Sequence, residues 1–264
     1  MLPKFHIFFG KGKNRGRKVS EEYIAFFDSG IGGLNVLGEF QRICPGERCL
    51  YYGDNANAPY GGRAEGEILR LTLKAFAQIT QYPIRAAVIG CNTVTAECVD
   101  VLRQKFSFPI VGIEPAVKPA AAAARGGKVL LAATRATLLS MRVRKLIENN
   151  SRETKIVTYS PDDLAGAVER SAPDFDGIDL SRHLPEGKFD AVVLGCTHYV
   201  FLKKQIQKYY GCPVFDGISG TADHIRRILN ICSKNNEKID KIPPFFQGTD
   251  KNKNKSVYNE VFFE

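Results

Sequence analysis

No stretch of this chain stays apolar for the roughly 18 residues that a membrane-spanning helix needs. The longest apolar runs, such as residues 120–124 and 129–133, fall far short of that length. The N-terminus does not read as a secretory signal, because the apolar patch at residues 5–9 runs into a basic stretch where a cleavage site would be expected. The seven cysteines (44, 49, 91, 98, 196, 212 and 232) contain no CxxC pair. That speaks against a disulfide framework and for a reducing, cytoplasmic setting. Acidic residues are absent from the first 20 positions, which carry six of the 37 Lys and Arg. The net charge of +9 is therefore unevenly spread, and residues 21–233 carry only +2. A body this close to neutral is not expected to bind nucleic acid. Residues 1–22 read as a flexible basic arm, and a partner- or DNA-binding protein using that arm stays open as an alternative.

At 44% hydrophobic and 25% charged, the chain has the composition of an ordinary globular protein. Short apolar runs at 23–27, 49–52, 86–89, 110–113, 128–132, 155–158, 191–194 and 214–215 alternate with helical patterns. The expected helices lie near 34–40, 64–80, 94–105, 138–149, 161–170, 200–210 and 221–232. This alternation predicts an α/β protein with mostly parallel sheets.

The pattern also repeats. Ala86-Ala87-Val88-Ile89-Gly90-Cys91-Asn92 and Ala191-Val192-Val193-Leu194-Gly195-Cys196-Thr197 each place Gly-Cys and a small polar residue after four apolar residues. Two similar, pseudo-symmetric three-layer α/β domains are therefore expected, with the active site in the cleft between them. Each cysteine would follow a buried strand and open a helix, at the sheet edge where α/β proteins bind ligands. The free N–H groups there predict a lowered thiol pKa at both positions. Cys44, Cys49, Cys98, Cys212 and Cys232 lack this context and are assigned to packing or the surface. A zinc site built from Cys91, Cys196 and His198 is disfavoured, because structural zinc takes tighter pairs and four ligands. Two thiols facing each other across a cleft suit a two-base racemase, with one removing a proton and the other delivering one to the opposite face.

Several motifs carry a resemblance to a known family. They are Phe27-Asp28-Ser29-Gly30-Ile31-Gly32-Gly33-Leu34, Gly53-Asp54-Asn55 with Ala58-Pro59-Tyr60-Gly61, Cys91-Asn92-Thr93, Gly112-Ile113-Glu114-Pro115-Ala116, and Leu194-Gly195-Cys196-Thr197-His198-Tyr199. In this order they resemble the glutamate racemases of the aspartate/glutamate racemase family. Residues 245–250 look like the family's C-terminal strand. The resemblance implies cofactor-independent interconversion of L- and D-glutamate, supplying D-glutamate for peptidoglycan, with no metal. It implies Cys91 and Cys196 as proton donor and acceptor, assisted by Asp28 and His198 respectively. Substrate contacts carried over are Asp28, Ser29, Tyr60, Gly61, Asn92, Thr93, Thr197 and His198, with Thr134 and Thr137 completing carboxylate binding. Glu169 falls where the family has an acid near the second thiol.

The expected division is a first domain of residues 23–115 plus 218–264 and a second of 116–217, hinged near Pro115 and Gly217. The partner is a small-molecule substrate, no membrane is involved, and a homodimer is one assembly open to the chain. Residues 158–169 and Ala133-Thr134 depart from the family pattern. An aspartate or other amino-acid racemase is the nearest rival. Such enzymes typically carry Gly-Gly-Met-Gly near the start and Cys-Asn-Thr-x-His, where this chain has Asp28-Ser29-Gly30 and Cys91-Asn92-Thr93-Val94-Thr95.

Overall fold

A computed structural model describes residues 20–231 and 241–263. Most of the expected basic arm and all of Cys232 lie outside the described residues.

The apolar runs form two parallel sheets. The first contains β1 (Tyr23–Asp28), β2 (Cys49–Gly53), β3 (Ile84–Ile89), β4 (Ile110–Gly112) and β9 (Phe245–Gly248), in the order β4-β3-β1-β2-β9. The second contains β5 (Lys128–Ala133), β6 (Lys155–Tyr159), β7 (Ala191–Gly195) and β8 (Val214–Asp216), in the order β6-β5-β7-β8. Every pairing is parallel. Read from the other edge, the second sheet is β8-β7-β5-β6, which superposes in order on β4-β3-β1-β2. The sequence repeat is thus a repeat of topology: β3 and β7 hold equivalent places.

Strands in parallel sheets are covered on both faces, so they are apolar throughout rather than alternating. In β1, Ile24 and Phe26 face one cluster while Ala25 and Phe27 face another. In β7, Val192 and Leu194 face one side and Ala191 and Val193 the other. The cluster holding Ile24 and Phe26 also holds Leu130, Ala132, Val192 and Leu194, so one core is shared by both sheets. Helices α1 (Leu34–Ile43) and α9 (Ile218–Ile228) pack on each other within it. Helices α2 (Glu65–Ile79) and α3 (Asn92–Lys105) cover the outer face of the first sheet. In α2 the buried side chains are Ile68, Leu71, Thr72, Ala75, Phe76 and Ile79, the spacing of one helical face.

Several boundaries differ from the sequence expectation. The helix expected at 138–149 is two helices, α5 (Arg135–Leu139) and α6 (Met141–Asn150), broken at Ser140. Ser140 is extended, with φ −64° and ψ 144°, and its hydroxyl caps α6 by accepting the Val143 N–H at 3.3 Å. The helix expected from residue 200 is a 3-10 turn, Thr197–Leu202, followed by α8 (Lys203–Tyr210). The helix expected at 161–170 is α7 (Leu164–Ser171), and the one expected at 221–232 is α9, ending at Ile228. Two helices are additional, α4 (Val117–Ala124) and α10 (Lys251–Phe263). No helix among the described residues is long and apolar enough to cross a membrane.

Candidate active site

The carboxyl ends of the two sheets face each other, and nearly all the residues singled out in the sequence lie at these ends. Asp28 ends β1, Cys91 caps α3 directly beyond β3, and Cys196 stands directly beyond β7. All of them are buried, as are Ser29, Tyr60, Asn92, Thr93, Thr134, Thr137, Glu169, Thr197 and His198. A ligand reaching them must therefore part the loops of the two sheets.

The two thiols differ in their surroundings. On the first side, the Gly30 N–H donates to Asp28 Oδ1 at 2.8 Å, and the Thr197 hydroxyl donates to Asp28 Oδ2 at 3.1 Å. The Ser29 hydroxyl lies 3.5 Å from both Asp28 Oδ1 and Cys91 Sγ. With its proton directed to the carboxylate, that hydroxyl is left to accept from the Cys91 thiol. Asp28 thus reaches Cys91 through Ser29. Burial raises the Asp28 carboxyl pKa, against the lowering effects of His198, Gly30 and Thr197.

The expected lowering of the Cys91 pKa is not found. Burial and the nearby Asp28 push this thiol up to about 12. The Ser29 hydroxyl and the Val94 N–H at the start of α3 oppose the rise without cancelling it. Desolvation of a buried anion outweighs the donors at one helix end. Cys196 adds to the rise, so each sulfur lies within the other's electrostatic reach.

On the second side, Cys196 Sγ lies 3.8 Å from His198 Nδ1. His198 Nε2 is 2.7 Å from Glu169 Oε1, which also accepts the Ile31 N–H at 2.7 Å. Burial works against the His198 cation, but the contacts with Cys196 and Glu169 raise its pKa well above the ordinary value. Burial likewise opposes the Glu169 anion, yet His198, the Ile31 N–H and Lys253 bring it down to about 2. The result is an imidazolium–carboxylate pair with its cation turned toward Cys196. Cys91 is a thiol beside a hydroxyl; Cys196 has a cationic donor.

Three hydroxyls join the two halves. Thr93 Oγ1 is 2.9 Å from Thr134 Oγ1 and 3.4 Å from Thr137 Oγ1, and Thr134 and Thr137 are 2.9 Å apart. Thr134 also caps α5, accepting the Thr137 N–H at 3.3 Å. Gly61 lies against Thr134, and its carbonyl accepts the Ala136 N–H at 3.4 Å. Tyr60 donates to Asp54 Oδ2 at 2.6 Å. Asn92, between Cys91 and Thr93, makes no side-chain hydrogen bond to this cluster. Neither its amide nitrogen nor its oxygen has a partner, and it lines a small cavity with Thr95, Glu114 and Arg142.

Four of the seven cysteines, Cys44, Cys49, Cys98 and Cys212, are buried away from this cluster. Among the described residues no group of three or more His, Cys, Asp or Glu side chains is arranged to hold a metal ion.

Residues 36–225 match the Asp/Glu/Hydantoin racemase family. The chain belongs to that family. Among its relatives, the glutamate racemase of Clostridium acetobutylicum is 37% identical, over 82% of this chain and 90% of that one. The crystal structure of Escherichia coli glutamate racemase, in complex with L-glutamate and the activator UDP-MurNAc-Ala, is similar with a TM-score of 0.74. It is 28% identical, with 92% and 94% of the two chains covered. The Campylobacter jejuni glutamate racemase structure gives a TM-score of 0.73 at 27% identity, over 91% and 98%. These similarities cover both sheets, so this racemase-family chain has the family's whole two-sheet architecture.

Residues not singled out in the sequence also reach the site. Asp54 lay inside a quoted motif, but its partnership with Tyr60 needed the loop geometry. Asn35 Nδ2 donates to the Thr197 carbonyl at 3.2 Å, and Lys253 Nζ donates to Glu169 Oε2 at 3.0 Å. Lys253 sits among charged, hydrophilic neighbours, and nothing in that pattern sets it apart from a solvated lysine.

Proposed function

We propose that this chain is a glutamate racemase that inverts the α-carbon with Cys91 and Cys196, one on each face. The observation that carries this reading is the pair of thiols at equivalent strand ends, one beside Asp28–Ser29 and the other beside His198–Glu169. With L-glutamate bound, the Cys196 thiolate takes the α-proton. The electron pair of the broken C–H bond stays on carbon and spreads into the α-carboxylate. The Cys91 thiol then gives its proton to the opposite face, which forms D-glutamate and leaves Cys91 as the thiolate. The reverse reaction starts from that exchanged state. Both faces are assigned by resemblance to the family.

No lysine or arginine stands among the substrate contacts. Hydroxyls of Ser29, Thr93, Thr134, Thr137 and Thr197, together with backbone N–H groups and Asn92, would bind the two carboxylates and the charge that builds on one of them. Tyr60 and Gly61 close the opposite wall. Burial strengthens each of these contacts by excluding water. We assign the two moving bodies to residues 23–115 plus 218–264 and to 116–217, hinged near Pro115 and Gly217. The cellular role we infer is supply of D-glutamate for peptidoglycan in the cytoplasm, without a cofactor.

Incubating the protein with each glutamate enantiomer in heavy water, without added cofactor, tests this reading. Each enantiomer should convert to the other, with deuterium at the α-carbon of the product. Absence of inversion for both, or inversion of aspartate instead, would overturn it.

Closure of the two bodies makes a separate prediction. A Cβ added at Gly61 would lie 2.5 Å from Thr134 Cβ. Gly61→Ala should therefore hold the bodies slightly apart and lower kcat/KM about 10²-fold, the cost of misplacing reacting groups by about 1 Å. The thermal midpoint should change little, because the clash disappears when the bodies open. Steady-state rates for both enantiomers and a melting curve check this.

A further inference from the structure

We propose that Lys253, on the C-terminal helix α10, is a positioning residue that fixes Glu169 against His198 and so serves the Cys196 half of the reaction. This rests on the racemase reading above and adds to it a residue from outside the matched family region, residues 36–225.

The argument begins with where α10 lies. Strand β9 pairs with β2, so α10 is tied to the first sheet. Tyr258 donates to Gln41 Oε1 on α1, and Asn254 Nδ2 donates to Asn55 Oδ1 at 2.9 Å. Asn254, Val257 and Tyr258 are buried, so this face of the helix is fixed. Lys253 lies one residue before Asn254, and its ammonium crosses to α7 in the other half of the molecule. There Nζ donates to the Glu169 carbonyl at 2.7 Å and to Glu169 Oε2 at 3.0 Å.

The two Glu169 oxygens are thereby divided. Oε2 takes Lys253, while Oε1 takes His198 Nε2 and the Ile31 N–H. A carboxylate held at both oxygens cannot rotate away from the imidazole, and charge-assisted contacts of this kind are the stronger hydrogen bonds. Of the three partners, His198 belongs to the same half as Glu169, whereas Ile31 and Lys253 belong to the first sheet's half. The geometry is therefore complete only when the halves are closed, and the Cys196 side of the site is set at the moment the substrate is enclosed.

The charged and titratable groups around Glu169 are His198, Lys253, Asp28 and Tyr51. Arg170, the next residue, is turned away onto Asp163. Removing the Lys253 charge leaves this cluster one positive charge poorer, which favours protonated forms and raises every pKa nearby. The bell-shaped pH profile of kcat/KM should therefore move to higher pH on both limbs.

The experiment compares Lys253→Met, Lys253→Arg and Glu169→Gln with the full-length protein. Lys253→Met should lower kcat about tenfold, the effect of losing one charge-assisted hydrogen bond. It should leave KM within about twofold and shift the pH profile upward by about one unit. Lys253→Arg should keep the profile where it is and recover most of kcat. In the Glu169→Gln background, Lys253→Met should add little further loss. If Lys253→Met does not fold, Lys253→Gln, a polar side chain one bond shorter and without charge, takes its place with the same expected shift. An active wild type whose Lys253 variants keep both rate and pH profile would overturn this inference and leave the racemase reading intact. Full additivity with Glu169→Gln would also overturn it. A wild type inactive on both glutamate enantiomers would overturn the racemase reading itself.

Discussion

Cys91→Ser and Cys196→Ser should each reduce racemisation at least about 10³-fold, within the range that general acid–base catalysis supplies. A thiol ionises near pH 8.5 when free in water, and even Cys91, pushed up to about 12 by burial and Asp28, stays more acidic than an alcohol. A serine hydroxyl keeps the size and the hydrogen-bonding capacity but does not give up its proton in this range. The two variants should fail in different ways. In Cys91→Ser, the Cys196 base and its His198–Glu169 partners remain, with His198 Nε2 2.7 Å from Glu169 Oε1. L-Glutamate can then lose its α-proton, but only the same face can return one. The expected result in heavy water is slow deuterium entry into L-glutamate with no D-glutamate formed. Cys196→Ser should show the mirror result, exchange into D-glutamate alone. Proton NMR of the α-position and chiral chromatography read the two outcomes separately. Full activity in either variant would remove the two-thiol assignment. Exchange of the opposite enantiomer would keep the assignment but swap the faces.

The inequality of the two thiols was not visible in the sequence. The repeat around Gly90-Cys91 and Gly195-Cys196 marks both positions equally, and a helix-end argument predicts the same lowered pKa for each. Cys91 is instead raised to about 12, because its neighbours across space are Asp28 and a dry interior. Those neighbours come from β1, 62 residues away by the Ser29 contact, and no local window contains them. By contrast, the two-sheet architecture was legible. Parallel strands buried on both faces are written as short apolar runs, and the helices between them carry their own periodicity. The places where that reading failed have local causes. Ser140 is a cap that splits one amphipathic pattern into two helices. Helix α10 has a polar, lysine- and asparagine-rich sequence and only a narrow buried face through Asn254, Val257 and Tyr258. Its value to the site depends on one ammonium, and long-range contacts of that kind leave no periodic trace.

Gly30→Ala should cost the enzyme most of its activity by displacing the Glu169 carboxylate. A Cβ at this position would stand 1.7 Å from Glu169 Oε1 and 3.0 Å from His198 Nε2. The methyl group has nowhere to go, because Gly30 itself is fixed by its N–H to Asp28 Oδ1 at 2.8 Å and by the Tyr51 hydroxyl on its carbonyl at 2.7 Å. The Glu169 carboxylate must therefore yield, and in yielding it loses the Ile31 N–H and the imidazole together. A displacement of about 1 Å at such a point costs about 10²-fold in rate. We expect kcat to fall by at least that factor. Stability should also fall, because a buried carboxylate separated from its partners costs about 3–5 kcal/mol. Shortening the acid offers a check on the cause. Glu169→Asp withdraws the carboxylate by one methylene, so the double variant Gly30→Ala/Glu169→Asp should be more active than Gly30→Ala alone. A purely backbone effect of the alanine would leave the double variant no better than the single one. Gly30→Ala activity within about threefold of wild type would show that the Glu169–His198 contact does not set the rate, a scale judged against the tenfold that 1.36 kcal/mol represents.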